Sequence, residues 1–186
     1  INAGMHDIRV AINMSAAQFM DPDLSDYLHQ LLERYQIPAS HFELELTEQT
    51  LVKDIDRAIE VMHVLKKRGF SFAIDDFGTG YSSLNYIHRL PADYLKIDRS
   101  FVFNIDKDPK KQDILAAVVL MAQRLNLDTI AEGIETDAER RGVQKLGCGH
   151  AQGYGIGRPM PLDQLQNWAL KYQQAPHPHT SPAKLA

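Results

Sequence analysis

Cysteine is nearly missing from this chain of 186 residues: Cys148 stands alone, so no intramolecular disulfide can form and a reducing compartment is the natural setting. A basic excess is missing too. With 20 Lys and Arg against 24 Asp and Glu, the net charge of -4 and pI near 6.0 give no electrostatic footprint for a polymeric nucleic acid or an anionic membrane. No apolar run approaches the roughly 20 residues that span a bilayer, and Ile1-Asn2-Ala3-Gly4-Met5 has no signal-peptide pattern. Cytoplasm is the simplest inference, with a membrane anchor left open for segments upstream. There is no Gly-x-Ser-x-Gly elbow, and Cys148, between two glycines, has no evident base partner, which argues against covalent catalysis. The eight histidines are scattered without metal-site spacing, and no dinucleotide-binding unit follows the run Gly153, Gly155, Gly157.

What the chain does have is 44% hydrophobic residues, enough for one sizeable core, and a series of strand-like runs that each end in a polar group. These are Val10-Ala11-Ile12-Asn13, Phe42-Glu43-Leu44-Glu45, Phe72-Ala73-Ile74-Asp75-Asp76, Tyr94-Leu95-Lys96 and Thr129-Ile130-Ala131-Glu132. Between them lie segments of helical period. Leu24, Leu28, Leu31 and Leu32 follow Asp21-Pro22; Ile55, Ile59, Met62 and Leu65 precede Gly69; Ile114, Leu115, Val118 and Val119 mark a helix over about 110–125. Further helices are expected at 137–146 and 162–172, and a last strand at 150–154. The alternation gives six βα units, the pattern of a parallel sheet with helical crossovers. A complete (β/α)8 barrel runs to about 250 residues. The fold is therefore expected to be α/β, a TIM-type barrel over 1–173 that is about two N-terminal strands short. Residues 174–186, rich in proline, read as a disordered tail.

Taken singly, the candidates are ambiguous. Asn13 at a strand end is more often a turn former than a metal ligand, and Asp75 with Asp76 could simply begin a turn. Lys96 inside an apolar run is harder to dismiss, since a buried ammonium without a partner is costly, and Glu45 between two leucines raises the same question. Taken together they converge, because parallel barrels gather strand ends on one face. Glu45, Asp75, Asp76 and Glu132, with Glu135 just beyond, would face one ammonium, a cluster that calls for divalent cations. An all-oxygen donor set favours Mg²⁺ or Mn²⁺ over zinc.

At these residues the chain resembles the EAL-domain phosphodiesterases that hydrolyse the bacterial second messenger cyclic di-GMP. The matching segments are Ile12-Asn13-Met14-Ser15, Glu43-Leu44-Glu45-Leu46-Thr47-Glu48, Asp75-Asp76-Phe77-Gly78-Thr79-Gly80-Tyr81-Ser82-Ser83-Leu84, Leu95-Lys96-Ile97-Asp98, Ile130-Ala131-Glu132-Gly133-Ile134-Glu135 and Ala151-Gln152-Gly153-Tyr154. The resemblance implies a two-metal hydrolase producing linear pGpG, with Asn13, Glu45 and Asp75 on one metal and Asp76 on the second. It implies that Lys96 holds the attacking water and the phosphate, while Glu132, Glu135 and Gln152 complete the shell. It also implies that the loop of Phe77, Gly78, Thr79, Gly80, Tyr81, Ser82 and Ser83, anchored by Glu48, couples the site to a homodimer.

The chain departs from the family pattern in one respect. The Glu-Ala-Leu motif, whose Glu is a metal ligand in the family, does not occur in these residues and is expected upstream with the first two strands, where a sensor or cyclase-like domain is left open as well. This chain alone is accordingly expected to be weak or inactive. The alternatives are a non-catalytic cyclic di-GMP receptor and a regulatory module that docks onto a partner.

Overall fold

The computed structural model describes residues 8–78 and 84–174. Its frame is one sheet of six strands, β1 (Val10–Asn13), β2 (Phe42–Thr47), β3 (Ser71–Phe77), β4 (Tyr94–Ile97), β5 (Asp128–Ala131) and β6 (His150–Ala151), paired in that order and all parallel. Helices cross over between neighbours: α1 (Ala16–Phe19) and α2 (Leu24–Tyr35), α3 (Glu48–Val52) and α4 (Ile55–Lys67), α5 (Leu84–Ile87), α6 (Arg99–Val102) and α7 (Pro109–Arg124), then α8 (Asp137–Lys145). A closing helix, α9 (Leu162–Gln174), follows β6. This is an open arc of βα units, an incomplete barrel of the TIM type.

The strands form here because each has an apolar row for the helices to cover. Leu44 and Leu46 of β2, Phe72 and Ile74 of β3 and Leu95 of β4 are buried in one cluster with Phe19, Met62 and Leu65 from the crossovers. On β2 the alternate residues Glu43 and Glu45 take the opposite, inner face, as the two-residue period requires. A second cluster joins Ile97, Val102, Ile105, Leu115, Val119, Ile134 and Val143, and Val118 of α7 touches both clusters. Truncating a fully buried member such as Leu65 to Ala is worth about 2–5 kcal/mol.

Local signals fix the crossovers. Asp108 caps α7 through the amides of Lys110 and Lys111, with Pro109 pre-set in the first turn. Thr136 and Glu139 make a reciprocal capping box at α8. Asp93 ties three elements at the floor of the sheet: its carboxylate takes Lys66 Nζ at 2.6 Å and the Phe72 amide at 2.9 Å, and its carbonyl takes the Asp128 amide at 2.9 Å.

Expectation and structure differ at β6, which covers two residues where 150–154 was expected. The chain turns away because Gly153 packs against the backbone of Ile134: a Cβ at that position would lie 2.2 Å from the Ile134 carbonyl oxygen. Among the described residues no helix is long and apolar enough to cross a membrane. The expected tail over 175–186 lies outside the described residues.

Candidate active site

The register carries the polar ends to one place. Asn13 pairs with Glu45 across β1 and β2, and Thr47 pairs with Asp75 across β2 and β3, so each strand delivers its polar residue within a step of its neighbour's. Lys96, on β4, is 3% exposed. Its ammonium lies 2.8 Å from Glu45 Oε2, 2.8 Å from Glu132 Oε1 and 3.2 Å from Asp75 Oδ1. The buried lysine is thus paired by three carboxylates from three other strand ends, which is what keeps so deep a charge tolerable.

Burial pulls the Lys96 pKa down, but hydrogen bonds to Glu132 and Glu45 and the charges of Glu132 and Asp75 outweigh it, so the net shift is upward and the side chain stays an ammonium at neutral pH. Burial pushes Glu132 up; Lys96 pulls it back, Asp75 and Glu45 push it further, and it ends above the ordinary carboxylate range. Asp76 is also raised, by burial first and then by the charges of Asp75 and Asp98. Three carboxylates around one ammonium leave an excess of negative charge, and Asp76 adds to it.

Asp76 adopts φ 56°, an uncommon conformation for a residue with a side chain, and its amide donates to Asp75 Oδ1 at 2.9 Å. That turn splits two consecutive carboxylates to different directions while keeping them close. One oxygen from each of Asp75, Asp76 and Glu132 lies within 4.8 Å of the other two. Hard oxygen donors at this spacing, with surplus negative charge, fit a divalent cation of the Mg²⁺ or Mn²⁺ kind.

The structure thus brings together Glu45, Asp75, Asp76, Lys96 and Glu132, with Asn13 at the adjoining strand end. Glu135 is placed differently: its Oε1 takes Arg99 at 2.7 Å, on the more exposed side of the mouth. Gln152 is exposed just past β6, its amide bonded to the Ala131 carbonyl at 2.8 Å and its own carbonyl to the Ile134 amide at 3.0 Å. Glu48 opens α3 and is buried, accepting the Tyr86 hydroxyl at 2.5 Å. Phe77 is buried, and Gly78 begins the following turn with φ 95°, where a Cβ would lie 2.6 Å from the Phe101 ring. Thr79, Gly80, Tyr81, Ser82 and Ser83 lie outside the described residues.

Several contributors were not singled out from sequence. Asp98 sits inside a matching motif, yet its visible work is capping α6 through the Ser100 amide, with its charge pressing on Asp76. Glu43, 6% exposed, lies two residues before Glu45 on the same inner face and pairs with Arg9, whose guanidinium also hydrogen-bonds and stacks on Tyr94. The alternation of β2 was the available signal for Glu43. Nothing local pairs Arg99 with Glu135 or Tyr86 with Glu48, which are 36 and 38 residues apart.

Comparisons with known proteins give the chain a family and a fold. The family model of the EAL domain matches residues 2–159. The bifunctional diguanylate cyclase/cyclic di-GMP phosphodiesterase MucR of Pseudomonas aeruginosa is 42% identical over 165 residues, covering 89% of this chain and 24% of MucR. The cyclic di-GMP phosphodiesterase PdeR of Escherichia coli is 37% identical over 166 residues, covering 89% of this chain and 25% of PdeR. Among solved structures, the MucR phosphodiesterase in complex with cyclic di-GMP superposes with TM-score 0.82 at 43% identity, over 88% of this chain and 66% of that one. A manganese and cyclic di-GMP complex of Klebsiella pneumoniae BlrP1 gives TM-score 0.77 at 31% identity, over 85% of this chain and 41% of that one. The chain spans about a quarter of the length of these curated relatives.

Proposed function

Since the chain belongs to the EAL-domain family, we propose that it is the catalytic part of a metal-dependent phosphodiesterase that opens cyclic di-GMP to linear pGpG. The observation that carries this reading is the buried Lys96 ammonium held by Glu45, Asp75 and Glu132 beside the oxygen cluster of Asp75, Asp76 and Glu132. MucR and PdeR, named for action on cyclic di-GMP, support the choice of substrate.

Asn13, Glu45 and Asp75 would hold one divalent cation and Asp76 a second. Two such ions supply the charge that acidifies a water and neutralises a phosphodiester. The remaining work falls to the chain. Hydrolysis adds the oxygen of water to phosphorus, breaks the bond to the ribose 3′ oxygen and returns a proton to that oxygen. Lys96, kept protonated, donates to the attacking water and to a phosphate oxygen; Glu132, 2.8 Å from its ammonium, fixes the direction in which it points. Gln152 and Glu135 stand at the rim, where they orient water and substrate. Glu48, tied to Tyr86 on α5, anchors the loop after Asp76, and that loop couples the site to a second copy in a homodimer.

The 186 residues contain no Glu-Ala-Leu sequence, and with it goes one carboxylate of the family's metal site. The chain by itself is therefore a weak or silent enzyme that still binds the nucleotide, and activity returns when the motif is supplied. The protein works in the cytoplasm, and a sensor or cyclase-like domain upstream fits the greater length of the relatives. The test is turnover of cyclic di-GMP with Mg²⁺ or Mn²⁺, measured on this chain and on a version extended upstream through a Glu-Ala-Leu segment. Turnover by the extended protein alone is the expected result. Binding without turnover in both makes the protein a receptor, and no binding in either overturns the proposal.

A further inference from the structure

Lys96 is already shared by Glu45, Asp75 and Glu132, so the remaining acid of the mouth, Glu135, must take its hold from a second cation. We propose that Arg99 is a positioning residue of the phosphodiesterase site, which fixes the Glu135 carboxylate at the rim; the inference rests on the cyclic di-GMP reading above.

Three observations carry it. The first is a contact that stability does not explain. The Arg99 guanidinium lies 2.7 Å from Glu135 Oε1, with the two side chains 56% and 41% exposed. Exposed ion pairs ordinarily add little to stability, and holding two long side chains in one geometry costs them entropy. Here the geometry is imposed from beneath, because the stem of Arg99 lies along the backbone of Gly133. A Cβ at that glycine, whose φ is 71°, would lie 2.4 Å from Arg99 Cγ, 2.7 Å from its Cβ and 2.8 Å from its Cδ. The guanidinium also stands 5.9 Å from the centroid of the Phe103 ring, in cation–π range.

The second observation is where the arginine starts. Arg99 opens α6 directly after Asp98, whose carboxylate caps that helix by accepting the Ser100 amide at 2.9 Å. The end of β4 that delivers the buried ammonium of Lys96 therefore delivers the guanidinium as well, and one short piece of backbone sets the spacing of the two cations. The third is what would be loose without it. The segment from Glu132 to Glu135 is pinned through its backbone: the Glu132 amide donates to the Ile97 carbonyl, the Ile134 amide to the Gln152 carbonyl and the Glu135 amide to Glu139 Oε2, each at 3.0 Å. These bonds place the Glu135 α-carbon but not its carboxylate. Arg99, lying over Gly133 and reaching Glu135, supplies the missing constraint.

Steady-state kinetics of the Glu-Ala-Leu-extended protein with cyclic di-GMP and Mn²⁺ test the assignment. Arg99→Met, which keeps an apolar stem over Gly133, is expected to lower kcat about tenfold with KM within about twofold of wild type, the pattern of an orientation lost in the transition state. In a Glu135→Gln background, its residual turnover read at high enzyme concentration, the same substitution should change kcat by less than about twofold, because the carboxylate it positions is gone. The unfolding temperature and the Mn²⁺ affinity of Arg99→Met should both stay near wild type. A tenfold loss that persists in the Glu135→Gln background shows that Arg99 acts on another group, and overturns the proposal. So does a raised KM at unchanged kcat, which makes Arg99 a substrate ligand, or weakened Mn²⁺ binding, which makes it a support of the metal site. Wild-type kinetics in Arg99→Met overturn the assignment and leave the phosphodiesterase reading standing. Absence of turnover by the unsubstituted extended protein overturns both together.

Discussion

Lys96 Nζ and Glu132 Oε1 lie 2.8 Å apart, joining the ends of β4 and β5 inside the sheet, and the same ammonium reaches Glu45 at 2.8 Å. The lysine is therefore a structural keystone of the acid cluster as well as a candidate donor to substrate. In Lys96→Met, the carboxylates of Glu45, Asp75 and Glu132 face one another with their common counter-charge gone. Removing one partner of a buried ionic set costs about 3–5 kcal/mol. Urea unfolding of the metal-free variant should show a loss of that size, part of which Mn²⁺ restores. Unchanged stability without metal would mean that the cluster does not depend on the ammonium.

Metal affinity should follow the oxygen cluster and not acidity in general. Asp75→Asn, Asp76→Asn and Glu132→Gln each remove a donor charge from the group whose oxygens lie within 4.8 Å. Each is expected to weaken Mn²⁺ binding by on the order of tenfold or more, as read by calorimetry or by the electron paramagnetic resonance signal of free Mn²⁺. Glu43→Gln provides the contrast, since Glu43 is buried on the same inner face but is engaged by Arg9, one layer below Glu45. Its affinity should stay near the wild-type value. Equal losses in all four would make the effect one of net charge.

Glu139 gives the fold a pH dependence of predictable sign. Its carboxylate accepts the backbone amides of Asn104, Glu135 and Thr136, each at 3.0 Å. Burial opposes the charge, but these hydrogen bonds outweigh it and hold the pKa below the ordinary 4.5. A carboxylate held low contributes its full stability above the unfolded value and loses it as pH falls through the lower folded value. Glu139→Gln should cost about 1–3 kcal/mol near neutral pH, and the difference from wild type should shrink once pH drops below about 4.5. A difference that is the same at neutral and acid pH would show that the charge is not what matters. Because Glu139 grips the Glu135 amide, the variant should also loosen the rim of the site.

Much of this was legible in the sequence because a parallel sheet covered by helices demands strands with a continuous apolar row, and polar residues at their ends stand out against it. Lys96 was conspicuous for that reason: an ammonium among Tyr94, Leu95 and Ile97 needs partners. The partners themselves were legible only as a set, through the rule that strand ends converge. The short helices α1, α3 and α6 are each under two turns, too brief for a period to register, and are held by the caps Ser15, Thr47 and Asp98. The early end of β6 was hidden because it follows from a contact between Gly153 and Ile134, which only the folded register brings together. Arg99 with Glu135 was hidden for the same reason.

The open edge of the sheet leads to the last prediction. β1 pairs with β2 on one side, and among the described residues no strand pairs with its other side. Its Val10 is 49% exposed and Ala11 is exposed beside it, so the edge combines unpaired backbone groups with apolar side chains. Such an edge is a template for another strand, and charged residues are the usual means by which proteins blunt it. This 186-residue chain should therefore self-associate, with a sedimentation coefficient that rises with protein concentration. Val10→Lys, placed on the edge and away from the carboxylate cluster, should shift the material toward monomer without changing Mn²⁺ affinity. The version extended through a Glu-Ala-Leu segment should associate less through this edge, because added strands cover it. A chain that remains monomeric at high concentration, or an association indifferent to Val10→Lys, would locate the contact elsewhere.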